Sequence, residues 1–102
     1  MSVEIFERAQ WDIEITADDI RLDSGVRAAE QFARRLSRTL ALLETFPHLG
    51  QPTEPTYLIY PDLRVMPIRQ QPHHLIYFVP TPDGVRVVRV LHSARDVGAI
   101  FG

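Results

Sequence analysis

Cysteine and lysine are both missing from the 102 residues. Without cysteine there is no disulfide, no thiolate nucleophile and no thiolate metal ligand. Without lysine there is no lysine general base. Every basic side chain is arginine, which grips phosphate or carboxylate with a planar fork but does not readily give up its proton. No apolar run approaches the roughly 20 residues that span a bilayer, so no membrane association is expected. The opening stretch, MSVEIFERAQ, has neither the basic nor the apolar region of a secretory signal, and none is expected. The four histidines, His48, His73, His74 and His92, show no HExxH-type spacing. His73 and His74, as neighbours on a strand, point to opposite sides. The expectation is therefore no metal and no cofactor. There is no internal repeat and no low-complexity tract. A reducing cytoplasm suits such a chain and is the expected location.

What is present is ordinary for a soluble globular protein: 45% apolar and 24% charged residues. The length predicts one domain, residues 1–102, with a single core. The net charge of -2 speaks against a general nucleic-acid binder, but the charge is unevenly spread. Glu7, Asp12, Glu14, Asp18, Asp19 and Asp23 make the first part acidic, against only Arg8 and Arg21. Arg64, Arg69, Arg86, Arg89 and Arg95 make the last part basic, against only Asp83. The C-terminal half is thus suited to an acidic or anionic partner.

The chain is organised around Val85 to Asp96 (VRVVRVLHSARD). Val85, Val87, Val88, Val90 and Leu91 form a β-branched, nearly continuous apolar run, as in a central strand covered on both faces. It ends in His92, Ser93, Arg95 and Asp96. Ser93 and Asp96 fit a capping box that opens a terminal helix, with Arg95 on its first turn. This puts charge beside a core, although plain strand-to-helix punctuation accounts for the same residues.

Read in order, Val3 to Phe6 alternates as a short edge strand. Glu7 to Leu22 reads as a helix with Ala9, Ile13, Thr16, Ala17 and Ile20 on one stripe. Trp11, Ile15 and Leu22 form a second stripe, which either packs on a neighbouring element, the reading favoured for a small two-layer domain, or offers a partner-binding surface. Asp23-Ser24-Gly25 breaks the helix and offers a cap for the next. Val26 to Thr45 is the clearest helix, with Ala29, Phe32, Leu36, Leu40 and Leu43 on its apolar face and Arg27, Arg34 and Arg38 opposite. Pro47 stops it. Phe46 to Asp62, rich in proline, reads as an irregular crossover. Leu63 to Ile68 is a strand with Pro67 marking an edge. Gln70-Gln71-Pro72 turns the chain, His73 to Val79 is a strand, and Pro80 to Gly84 is a hairpin turn. The predicted fold is α+β: a short N-terminal strand, a two-helix hairpin packed on a three- to four-stranded antiparallel sheet, and a short C-terminal helix.

The order of these elements and several short motifs resemble the RelE/ParE toxins of bacterial type II toxin–antitoxin pairs, most closely the ParE branch. The resemblance is carried by Asp12-Ile13 and Asp19-Ile20, by Ala28-Ala29-Glu30-Gln31-Phe32, and by Pro47-His48-Leu49-Gly50. It continues through Leu63-Arg64, His74-Leu75-Ile76-Tyr77, and Arg89-Val90-Leu91-His92 with Ala94-Arg95-Asp96. It implies a growth-arresting toxin silenced by a cognate antitoxin in a hetero-oligomer. ParE-like members are linked to DNA gyrase and plasmid stabilisation. RelE-like members cut mRNA in the ribosome.

Cleavage of RNA needs a base, an acid and cationic support for the phosphorane. His74, His92, Tyr77, Arg64 and Arg89 nominally fill these roles. The missing lysine and the slightly negative net charge weigh against so highly charged a partner as ribosomal RNA. A binder of gyrase is therefore placed ahead of a ribosome-dependent mRNA endonuclease, and an inactive antitoxin-binding relative stays open. The catalytic set is left unassigned. Arg64, Arg89, His92 and Arg95 are expected to cluster at one end of the sheet as the functional group, with His74 and Tyr77 as lesser candidates.

Overall fold

The described residues form five strands and three helices, one strand more than these patterns predict. The computed structural model describes residues 2–102. The elements in chain order are β1 (Ser2–Ile5), α1 (Glu7–Ser24), α2 (Val26–Thr45), β2 (Gln51–Pro52), β3 (Arg64–Ile68), β4 (Gln71–Thr81), β5 (Gly84–His92) and α3 (Val97–Phe101). One sheet has the order β1-β5-β4-β3-β2. The expected meander is β3, β4 and β5. The sheet is larger than expected because two-residue β2 adds an antiparallel edge, and β1 pairs parallel to β5. The β-branched run is thus an inner strand between β1 and β4.

The two long helices pack on one sheet face, as an α+β layering requires. Phe32, Leu36 and Leu43 of α2 and Ala9 of α1 are buried with Ile68, Ile76, Phe78, Val85, Val87 and Val90; Ile13, Ala17, Ile20 and Leu40 pack around them. The apolar face read for α2 is therefore its core face. The second α1 stripe is different: Trp11, Ile15 and Leu22 are 50%, 56% and 77% exposed, so it is not buried against a neighbouring element. The opposite sheet face is covered by the crossover and α3, through Tyr57, Leu63, Tyr77, Val88, Leu91 and Phe101. Among the described residues no helix is long and apolar enough to cross a membrane.

Several joints differ from expectation. No side chain caps α2. Gly25 joins the two helices with φ 96, a backbone conformation that residues with a Cβ rarely adopt. The turn after β3 is Arg69-Gln70, and Gln70 itself has φ 65; β4 begins at Gln71. Pro67 is exposed beyond the reach of β2, which covers only Arg64 and Val65. Leu58 and Ile59 form the exposed tip of a loop anchored by buried Tyr57.

The terminal helix starts later than a Ser93 cap implies. Asp96 is its N-cap, accepting from the Ala99 N–H at 3.2 Å, so Arg95 precedes the helix. Between β4 and β5 a bulge pairs Tyr77 with Arg89 but Phe78 with Val87, which leaves Val88 as the extra residue. The consequence is visible in the packing: Val87 and Val90 share the core under the helices, whereas Val88 and Leu91 share the core on the other face.

Candidate functional site

Acidic α1 and basic β5 meet at one buried ion pair. Asp12 lies between Ala9, Ile13 and Thr16 on the buried stripe of α1. Arg89 Nε donates to Asp12 Oδ2 at 2.7 Å and Arg89 Nη2 donates to Oδ1 at 3.0 Å. The side chains are 11% and 7% exposed, so the two-pronged pair is largely out of water. The same Oδ2 accepts from the Val90 N–H at 3.1 Å. Strand β1 ends at Ile5, opposite Val87. Past that point Asp12 takes the place of a strand on the open edge of β5 and satisfies a backbone donor that burial would otherwise leave unpaired.

Beside this pair, α1 and the end of β5 enclose a cleft of ≈ 240 Å³ that Arg8, Ile15, Asp19, His92 and Arg95 help to line. Arg8 lies 5.8 Å over the Trp11 ring. Its wall therefore joins the exposed α1 stripe to the basic end of the chain. His92 is held by its own turn: Nδ1 accepts from the Ala94 N–H at 3.0 Å, and its carbonyl accepts from the Arg95 N–H at 3.0 Å.

Three imidazoles gather at this end of the sheet. His74 pairs with His92 across β4 and β5, with ring centroids 5.4 Å apart and edge to face. His73 stacks on His92 at 6.1 Å, despite lying next to His74 on a strand. Phe32 of α2 meets the other side of His74 at 5.5 Å. Burial, and then the charges of His92 and His73, lower the His74 pKa from its usual 6.5. Its Nδ1 is buried without a hydrogen-bond partner. Among the described residues no set of three His, Asp or Glu side chains is placed to hold a metal ion.

The expected four-residue cluster does not assemble. His92 and Arg95 share the cleft, and Arg89 is adjacent but locked by Asp12. Arg64 lies elsewhere. Strands β3 and β5 run the same way, so the start of one and the end of the other are at opposite ends of the sheet. Arg64 accordingly sits opposite Phe78, whereas His92 sits opposite His74. The Arg64 guanidinium donates to the carbonyls of Gly50, at 2.6 Å and 3.1 Å, and of His48, at 3.0 Å, pinning the crossover. Tyr77 is buried on the face away from the two long helices, and burial followed by Tyr57 raises its pKa. Sequence reasoning gave Asp12 no role of its own. The available signal was a carboxylate set into the apolar stripe of an amphipathic helix, where a charge needs a partner.

Residues 3–97 match the family described as "ParE toxin of type II toxin-antitoxin system, parDE". A chain of the "Chromosomal ParDE TA system from P. aeruginosa" shares the fold, with a TM-score of 0.73 and 16% identity over 90% of this chain and 95% of that chain. No curated protein matches the sequence. The family match takes in all but the first residue of β1, the helical hairpin, the rest of the sheet and the first residue of the terminal helix, and on it the chain belongs to the ParE toxin family of type II toxin–antitoxin systems.

Proposed function

We propose that this protein arrests growth by binding a cellular target, DNA gyrase, without chemistry of its own, and that a cognate antitoxin neutralises it in a hetero-oligomer. The observation that carries this reading is the lock on Arg89. A nuclease needs a free cation beside its acid and base to support the phosphorane. Of the three arginines of the expected cluster, Asp12 neutralises Arg89 and Arg64 holds backbone carbonyls at the other end of the sheet, which leaves only exposed Arg95 beside His92. His92 and Arg95 remain as exposed groups suited to charge-assisted contacts with an acidic protein surface.

The α1–β5 cleft is where the antitoxin docks in this reading. Its wall is apolar at Ile15 and carries Arg8 and Arg95 against Asp19, with Asp12 already paired, a balance that fits an apolar segment with some acidic side chains that orders on binding. High salt weakens such a complex moderately, since the apolar share of the contact is not screened. An antitoxin with a strongly basic docking segment overturns this placement. The test of the whole reading is induced expression with and without the antitoxin, with gyrase activity and translation assayed separately. Filamentation with intact translation supports it. Rapid loss of translated mRNA overturns it, and absence of any growth defect identifies an inactive relative.

One observation favours a second reading, RNA cleavage at the ribosome. The buried, unpartnered Nδ1 of His74, whose pKa burial lowers, lies beside the His92 ring, and a pair of imidazoles can supply the base and the acid that such cleavage requires. Under that reading His92→Gln abolishes mRNA loss while leaving folding intact.

A further inference from the structure

A second cleft, of ≈ 310 Å³, lies between α2 and the β3–β4 turn, away from α1. It is lined by Arg35, Arg38, Leu42, Arg69 and Gln70. Arg35, Arg38 and Leu42 follow one another at helical spacing on one side of α2, and Arg69 faces them from the turn. Three arginines thus border one space. Among the described residues the salt bridges are Asp18–Arg21, Glu4–Arg86 and Asp12–Arg89, so none of the three arginines has a carboxylate partner.

We propose that Arg35, Arg38 and Arg69 form a binding site for a phosphate group. Like charges around one cleft repel one another unless an anion joins them, and the backbone under two of these arginines, with the Arg35 side chain itself, is fixed. Thr39, fully buried, donates its hydroxyl to the Arg35 carbonyl at 2.8 Å and accepts from the Arg69 N–H at 3.1 Å. That one hydroxyl ties the helix to the turn. Arg35 Nη1 is fixed by Gln71 Oε1 at 2.8 Å. Gln70, on the cleft wall, holds the turn with φ 65, a conformation that a non-glycine residue keeps only where its surroundings enforce it.

A phosphate group suits this cleft better than a carboxylate does. It carries up to about two negative charges on three strong acceptor oxygens, enough to engage three forks at once, whereas one carboxylate neutralises a single arginine. No aromatic ring lines the cleft, so nothing there stacks on a base, and the group recognised is the phosphate itself. Its source is either a small phosphorylated molecule or the backbone of a nucleic acid.

The test is calorimetric titration of the full chain at fixed ionic strength with inorganic phosphate, a 5′-mononucleotide, succinate, and a short DNA duplex with unphosphorylated ends. Phosphate is expected to bind more tightly than succinate. Arg38→Gln and Arg69→Gln are each expected to weaken it about tenfold, the loss of one charge-assisted contact. Both side chains are exposed, so the melting temperature without ligand stays where it was and a folding defect is not confused with lost binding. A duplex displaced by phosphate and dependent on the same arginines identifies the backbone as the source; mononucleotide binding without duplex binding identifies a small molecule. Either result supports the site. Succinate binding as tightly as phosphate, or undiminished phosphate binding in the Arg38→Gln, Arg69→Gln double variant, overturns it.

Discussion

Asp12 and Arg89, 77 positions apart in the chain, are joined by two hydrogen bonds in a buried pair, and the same carboxylate holds the Val90 backbone N–H. Removing one partner of a buried pair leaves an uncompensated charge and costs about 3–5 kcal/mol. Asp12→Ala also strands the Val90 donor, so the upper part of that range is expected in urea unfolding. An Asp12→Leu, Arg89→Leu double variant should recover much of the loss. A double variant as unstable as either single change would show that the pair contributes more than the charge left behind.

Leu36 lies on the buried face of α2, 5% exposed, among residues that fill the core beneath the helices. Leu36→Ala is expected to cost about 2–5 kcal/mol through lost burial and the cavity left behind. Chemical denaturation measures it. A nearly neutral result would mean that the core closes over the missing atoms.

Much of this architecture is legible in the residues alone, and the failures have physical causes. Val26 to Thr45 is a helix with a single clean stripe, so its bounds and buried face could be read directly. The β5 run announces an inner strand, but its bulge cannot be read, because the extra residue depends on how Tyr77 and Phe78 meet Arg89 and Val87. The Trp11, Ile15 and Leu22 stripe has the same spacing whether it packs inside the molecule or faces out; only the tertiary structure shows it exposed. The distance of Arg64 from His92 is legible in the topology. In a three-strand meander the first and third strands are parallel, so the start of one cannot meet the end of the other. Asp12 was missed as a partner for Arg89 because their meeting depends on where β1 stops.

His74 makes stability depend on pH in a defined direction. Burial, His92 and His73 lower its pKa from 6.5, so below that value the unfolded chain binds more protons than the folded one. Stability is then complete above the unfolded pKa and is lost as pH falls through 6.5 toward the lower folded value. The melting temperature should drop between about pH 7 and about pH 5. His74→Leu should flatten that drop, because it removes the buried, unpartnered Nδ1 and one of three neighbouring imidazoles. An equally steep drop in the variant would remove His74 as its cause.

The cleft between α1 and the end of β5 is tested by comparing His92→Gln with Arg95→Ala. Both side chains are exposed and both line the cleft, but they are held differently. His92 accepts the Ala94 N–H through Nδ1, so its loss loosens the turn as well as removing a contact. Arg95 lies before the α3 cap, which is made by Asp96, so its removal leaves the helix capped. If the protein acts by binding, each change should weaken toxicity in a graded way, each removing one charge-assisted or polar contact worth about 1.5–3 kcal/mol at most. Only His92→Gln should lower the melting temperature, and by little. If proton transfer by His92 is required, His92→Gln instead removes about 10²–10⁴-fold of activity while Arg95→Ala retains most of it. Antitoxin affinity, measured on the same two variants, separates target contacts from antitoxin contacts, since a residue serving only the target leaves that affinity unchanged. Full toxicity in both variants, with folding intact, would remove His92 and Arg95 from the functional account and leave Arg8 and the exposed α1 stripe to carry it.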